Sequence, residues 1–246
     1  MKIHETALIS KDAQIGRNVE IGAFTIINAG VSVGDYSTVG PFCELGVPST
    51  NSSVSSLEIG SRSLIRSHSV FYSGSKFGAQ LNTGHRVTVR ENTIAGNNLQ
   101  IGTLSDIQGD CLIGNYVRFH SSVHVGKESN IEDYVWVFPY VVLTNDPHPP
   151  SEVRLGVTLK SYAVIATHST ILPGVIVGSG SLVGAHSLVA KDVVEHTVVS
   201  GVPARYKCDA STILLRDGTG QPAYPWRKHF NRSYPVEVTE RWLDET

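Results

Sequence analysis

Bulky apolar residues recur every six positions over most of the chain. Ile101, Ile107, Ile113, Phe119, Val125, Ile131, Val137 and Leu143 hold that period without a slip. Two places before each of the last seven stands Ser105, Cys111, Val117, Val123, Ser129, Val135 or Val141. A helix would repeat its apolar face every 3.6 residues and a half-buried strand every second residue, so neither accounts for the spacing. A coil of three short strands does, with one bulky and one small side chain per strand turned inward. The pattern predicts an all-β chain wound as a parallel β-helix, with the polar residues Asp106, His120, His124, Asn145, Asp146 and His148 gathered on one stretch of it.

The same period begins near the N-terminus as Ile3, Ile9, Ile15, Ile21, Ile27, Val33, Val39 and Leu45, with small partners from Ala7 to Ser49. The polar run Asn51 to Ser56 then shifts the phase, which reads as a bulged corner over 51–58, and a second series runs from Ile59 to Leu143. Thr83 and Ala95 are its weak members. They flank the polar patch Gly84, His85, Arg90 and Glu91, so packing is relaxed there for another purpose or the repeat is simply imperfect. Pro149 and Pro150 withhold backbone donors from a sheet ladder and predict an external loop near 146–164, before Ile165, Ile171, Val177, Val183 and Val189 resume. Counted together, the hexads make about nine coils in one domain over 1–200, roughly 40 to 45 Å tall at the usual strand spacing. From Gly201 the composition changes to a Pro- and aromatic-rich tail, 201–246, whose VEVTERWLDE segment suits a short helix.

In such a coil, positions eighteen apart stack on adjacent strands of one face. One outward column runs Thr88, Asp106, His124, Val142, and its neighbour runs Arg90, Gln108, Gly126, Thr144. Asp106 therefore falls beneath His124, where a carboxylate fixes the ring and favours its cationic form, as a general base requires. The competing reading is a surface ion-pair ladder. Arg90, Gln108 and Asn145 add polarity to the same face. His120 lies on the preceding face, across the Ser121–Ser122 corner, and reaches a neighbouring chain if flat-faced prisms associate. His85 occupies a corner two coils below Ser121. His4, His68, His168, His186, His196 and His229 read as surface or turn residues.

Composition narrows the partners. With 246 residues, 41% hydrophobic content and a formal net charge of −2, the chain can bury a large core and offers no general attraction to nucleic acid or an anionic membrane. The opening MKIHETALIS lacks a basic segment followed by a long apolar run, and no window of about eighteen apolar residues occurs, which predicts a cytoplasmic location. Cys43 and Cys111 fall on small inward positions and Cys208 in the tail, a distribution suited to a reducing compartment.

The hexads, the loop sequence LTNDPHPPS, the run SLVGAHSLVAKDV and the closing GVPAR together resemble the hexapeptide-repeat acyltransferases of the left-handed parallel β-helix class. The likeness is greatest to bacterial N-acetyltransferases acting on nucleotide-linked amino sugars. The resemblance supplies the left-handedness, since the general rule for parallel crossovers is right-handed. It implies a homotrimer with acetyl-CoA in the cleft between prisms, a sugar or nucleotide-sugar acceptor deeper in that cleft, and no metal. Ala166, Gly184 and Ala185 match positions where small residues and backbone amides admit the pantetheine arm. Lys191, Pro203 and Arg205 match the nucleotide end, where cationic side chains pair with phosphates. Asn145 and Asp146 match an acceptor-binding segment, His148 matches the histidine that galactoside-type relatives carry before their loop, and GHRVTVRE places His85, Arg90 and Glu91 in a motif shared by a subset of these enzymes. Ile165, Ala166, Thr167, His168 and Ser169 depart from the usual IGANA, and the tail beyond Cys208 is unusually long and aromatic.

The implied chemistry is acyl transfer to a sugar amine, or less favourably a hydroxyl. His124, His120 from a neighbouring subunit, or His148 takes the proton, and coil N–H groups stabilise the oxyanion. Two readings compete. FHSSVHVG resembles the zinc-binding histidines of γ-type carbonic anhydrases, although His120 and His124 are separated by three residues where that family has four, and His85 is displaced as well. A non-catalytic β-helix scaffold is the other; the loop and GVPAR argue against both.

Overall fold

A computed structural model describes residues 2–50, 56–232 and 234–244. The chain is a left-handed parallel β-helix of two- to four-residue strands stacked into three flat sheets. Face I carries the parallel strands from Lys2–Ile3 to Thr197–Ser200, face II those from Leu8–Ile9 to Leu188–Val189, and face III those from Gln14–Ile15 to Ile176–Val177. One continuous core of inward residues runs the length of the prism.

The small inward positions do more than save space. Ser105 Oγ donates to the carbonyl of His120 at 2.9 Å and accepts from the Val123 N–H at 3.2 Å. Ser69 likewise donates to Arg66 O at 2.8 Å, and Ser129 to Gly126 O at 2.7 Å. A buried hydroxyl at a corner thus satisfies a turn carbonyl that the sheet ladder does not reach. Thr83 uses its hydroxyl to accept from the Arg66 N–H at 3.0 Å, and Ala95 is explained by its neighbours. Phe71 and Phe77 meet edge-on inside the same coil, with centroids 5.4 Å apart, and Ala95 stacks in register over Phe77. Two phenyl rings fill the volume that smaller residues then yield, so packing is conserved rather than relaxed.

Most corners place one residue in the left-handed region: Asn18, Phe24, Tyr36 and Phe42 are the first that are not glycine, with φ of 54°, 56°, 59° and 57°. For a residue with a Cβ that conformation costs about 1–2 kcal/mol. Stacking along the corners offsets part of it. Tyr116, Tyr134 and Tyr162 form one ladder of nearly parallel stacked rings with centroids 5.3 and 4.9 Å apart, and Tyr140, His168 and His186 form another at 4.7 and 4.8 Å.

The prism is longer than the expected nine coils, because face I stacks eleven parallel strands and so completes ten turns and begins another. Two strands account for the difference. Thr158–Leu159 pairs with Asn130–Ile131 and Ile176–Val177, which brings the coil back before Ile165 and shortens the expected 146–164 loop at its C-terminal end. Thr197–Ser200 adds a last strand to face I. The bulged corner at 51–58 falls largely outside the described residues.

The tail doubles back. Arg205–Asp209 pairs antiparallel with Thr197–Ser200, after which the chain descends along face I to a helix, Val236–Asp244. Tyr234, Val238 and Trp242 form a second apolar cluster against Tyr116, Tyr134, Trp136, Tyr162, Trp226 and Phe230. The Trp136 indole donates to Tyr234 Oη at 2.7 Å, and that of Trp226 to Tyr162 O at 3.3 Å.

Candidate active site

Asp106 and His124 stand directly opposite in the parallel register of face II. His124 Nδ1 lies 3.1 Å from Asp106 Oδ2, and Gln108 Nε2 donates to the same oxygen at 2.5 Å. Burial opposes the charge on Asp106, but the hydrogen bonds from His124 and Gln108 and the nearby charge of Arg90 outweigh it and hold the carboxyl below its ordinary pKa. An ionised Asp106 requires a proton on Nδ1, which leaves Nε2 as the acceptor.

Below this pair, at the corner of faces II and III, Glu91 is fully buried. Arg90 donates to it at 3.2 Å and Lys127 at 3.4 Å, while Lys127 also binds Asp110 at 2.9 Å. Glu91 therefore holds Arg90 and Lys127 rather than meeting a ligand. Gly126 faces the base of the loop: a Cβ there would lie 2.8 Å from Leu143 O and 3.1 Å from Asn145 Cβ. The loop leaves face II one coil above His124. Within it Asp146 accepts from the Ser151 hydroxyl at 2.8 Å and from the backbone N–H groups of His148 and Ser151. These bonds, the Ser151 hydroxyl foremost, lower its pKa and commit the carboxylate to shaping the loop. His148 is exposed on it.

His120 stands on face I, around the corner from His124. Its ring stacks on Phe138 at 4.6 Å and lies 5.7 Å from Trp136, and burial depresses its pKa. It closes one end of a polar groove of about 460 Å³ that includes Arg66, Asn82, His85, Gln100 and Arg118. Ser67 Oγ and His85 Nδ1 are 2.8 Å apart there, and the Arg118 guanidinium bonds Asn98 and lies over the Tyr234 ring at 4.8 Å.

Further up face I, Phe138, Ala166 and Gly184 continue the column of His120, with Ala185 exposed beside it. The Ala166 N–H donates to Val183 O and the Gly184 N–H to Val199 O, so these two residues offer small size and not the free amides expected of them. The N–H groups of His124 and Gly126 are spent in the ladder too, so they are not the oxyanion donors expected of the coil. Lys191 and Arg205 line one cavity of about 470 Å³ near the C-terminal end of the prism. Pro203, joined to Val202 by a cis peptide, is exposed in the turn before Arg205.

The profile described as "Bacterial transferase hexapeptide (six repeats)" matches residues 12–46. Over that stretch the chain is similar to the hexapeptide-repeat transferases. It is similar to a chloramphenicol acetyltransferase of Escherichia coli, 33% identical over 100 residues that cover 39% of this chain and 46% of the relative. A serine acetyltransferase of Salmonella typhimurium is 30% identical over 143 residues, covering 55% and 47%. The chain thus spans about half the length of the curated relatives it matches. Among solved structures, an Arabidopsis UDP-N-acetylglucosamine acyltransferase superposes with a TM-score of 0.62 at 17% identity, covering 99% of this chain and 89% of that one, a likeness of fold. Among the described residues no three His, Cys, Asp or Glu side chains converge, and no helix is long and apolar enough to cross a membrane.

Two features escaped the sequence reading. Arg66, Asn82, Gln100 and Arg118 line the groove that His85 and His120 share, and Trp136, Phe138, Trp226 and Phe230 bring aromatic rings to its end. A signal was present, since Trp136 and Phe138 occupy outward hexad positions where bulky rings are exposed unless something covers them.

Proposed function

We propose that the chain transfers an acyl group from acetyl-CoA to a hydroxyl or amine of a sugar, with nucleotide-linked sugars the leading acceptors. The observation that carries this reading is the Asp106–His124 pair, with a fixed tautomer and Nε2 as the accepting atom. Acetyl-CoA would supply the acyl group as a thioester. The acetyltransferases similar to this chain support that donor, and the residues fit it: small side chains at Ala166, Gly184 and Ala185, and the cations Lys191 and Arg205 on one cavity.

On this reading His124 Nε2 takes the acceptor proton as the acceptor attacks, and Asp106 stabilises the imidazolium that forms. A hydroxyl acceptor gains most from such a base, whereas an amine bound neutral needs it little, so the pair favours the hydroxyl over the amine that the sequence suggested. His120 is the second candidate, because its surroundings keep the ring neutral. A homotrimer would let His120 of one subunit face His124 of the next. Ile94 and Leu112, exposed and stacked on face III, support association of prisms.

The test is thiol release from acetyl-CoA over a panel of amino and hydroxy sugars and their nucleotide conjugates. His124→Ala should lower turnover about 10²- to 10⁴-fold with CoA affinity nearly unchanged. Full turnover in His124→Ala alongside a dead His120→Ala would move the base to face I, and no thiol release with any acceptor would sink the proposal.

A further inference from the structure

The tail does more than cover exposed rings. Where it crosses face I it forms one wall of an open cavity of about 320 Å³ lined by His120, Trp136, Phe138, Val164, Tyr224, Trp226 and Phe230. The wall comes from two parts of the chain: outward positions of the coil on one side, and the tail on the other. Its rings are braced against each other, with Trp136 edge-on to Trp226 at 6.0 Å and to Phe230 at 5.5 Å. The cavity is nevertheless not filled by them. It shares His120 and Trp136 with the polar groove, which carries Arg66 and Arg118 and, among the described residues, is lined by no carboxylate. The two spaces adjoin, one polar and one apolar, with His120 and Trp136 on the boundary between them.

We propose that this tail-walled cavity binds an apolar group of the acyl acceptor, while the polar part of the same molecule lies in the groove between His120 and Arg66. The ligand class is a sugar derivative with a carbon-rich end, and the tail determines specificity for that end. Three physical points favour this occupant. A wall made mostly of aromatic carbon, with His120 and Tyr224 its polar members, disfavours a hydroxylated ring, because most buried hydroxyls would lose their water without a replacement partner. Carbon groups gain there by leaving water. The adjoining cationic groove disfavours a ligand that is apolar throughout. The identity of the ligand as an acceptor rests on the acyl-transfer reading; the existence of the apolar subsite does not.

All three tryptophans of the chain lie in or beside the cavity, since Trp136 and Trp226 line it and Trp242 is 5.6 Å from Trp226. Intrinsic fluorescence therefore reports its filling. The full chain is titrated with glucose and with methyl, butyl, hexyl and octyl β-glucoside below their micelle concentrations, with calorimetry alongside. Affinity should rise roughly three- to fourfold per methylene until the cavity is full, with a change in fluorescence. Val164→Phe, which occupies the cavity, should flatten the series at a shorter chain, and Tyr224→Ala, which opens the tail wall, should reduce the gain per methylene. Affinity independent of chain length, or the same gain in both variants as in the parent, overturns the subsite. Thiol release from acetyl-CoA is scored separately. Turnover without a chain-length gain removes the subsite alone, and a gain without turnover on any acceptor upholds it while removing the acyl-transfer reading.

Discussion

Replacing Asp106 by Asn separates charge from shape at the candidate base. Two donors, His124 Nδ1 at 3.1 Å and Gln108 Nε2 at 2.5 Å, converge on the single oxygen Oδ2. An amide in this place satisfies both only by putting its carbonyl oxygen there and its NH₂ at the other position, so the histidine keeps its proton on Nδ1 and Nε2 stays the acceptor. What is lost is the attraction between a carboxylate and the imidazolium formed during transfer. At this separation it is about 1.3 kcal/mol in a water-like medium and about 5.4 kcal/mol at an effective dielectric constant of 20. With side chains 39% and 35% exposed, the pair lies toward the lower figure. A loss of about 1–2 kcal/mol corresponds to roughly a 5- to 30-fold drop in kcat/KM, measured by thiol release with the best acceptor of the panel. An unchanged rate would reduce the pair to a surface ladder. A drop beyond about 10³-fold, well above the charge effect, would mean that the tautomer had reversed and that Gln108 does not hold the amide as argued. The same variant has a stability signature. The folded pKa of Asp106 lies below the unfolded value, so its contribution is present above about pH 4 and is lost as pH falls through the folded value. The difference in melting temperature between parent and D106N should therefore shrink in acid.

Arg205→Ala should weaken CoA binding by about 1–3 kcal/mol, the cost of a lost charge-assisted hydrogen bond, with calorimetry as the check and unchanged affinity placing the phosphates elsewhere. Light scattering at micromolar concentration should give three times the mass of one chain; a monomer would remove the shared-site arrangement. In the native protein Cys208 should react first with a thiol reagent at pH 8, because burial pushes the Cys111 thiol up to about 11 and also raises that of Cys43. Equal labelling of all three thiols would show that the coil opens readily.

Much of the scaffold was legible because a hexad repeat fixes both phase and stacking. Asp106 beneath His124 follows from a spacing of eighteen, and no fold with looser periodicity would have allowed that inference. The strand at Leu159 was hidden by its surroundings. It stands six residues before Ile165, but the proline run ahead of it drew the whole segment into the loop. Side-chain commitments were not legible either. Asp146 accepts from Ser151 and His148 within its own loop, and Glu91 looks exposed by register until Arg90 and Lys127 close over it. The tail was the least readable part. Its aromatic residues lack periodicity, and their destination, the outward rings of face I, is a matter of shape rather than of spacing.

The brace between tail and coil joins residues that are distant in the chain. Trp136 waits for Tyr234, 98 positions later, and Tyr162 for Trp226, 64 positions later. Coils otherwise touch only their neighbours and form as soon as the next strand is available. During synthesis, therefore, the middle of the prism is complete while its aromatic corner still lacks its cover. At ordinary elongation speeds of about 5–20 residues per second, that interval lasts roughly 5 to 20 s. For that time each nascent chain presents Tyr116, Tyr134, Trp136 and Tyr162 as one uncovered strip of rings, which any other nascent copy on the same message presents as well.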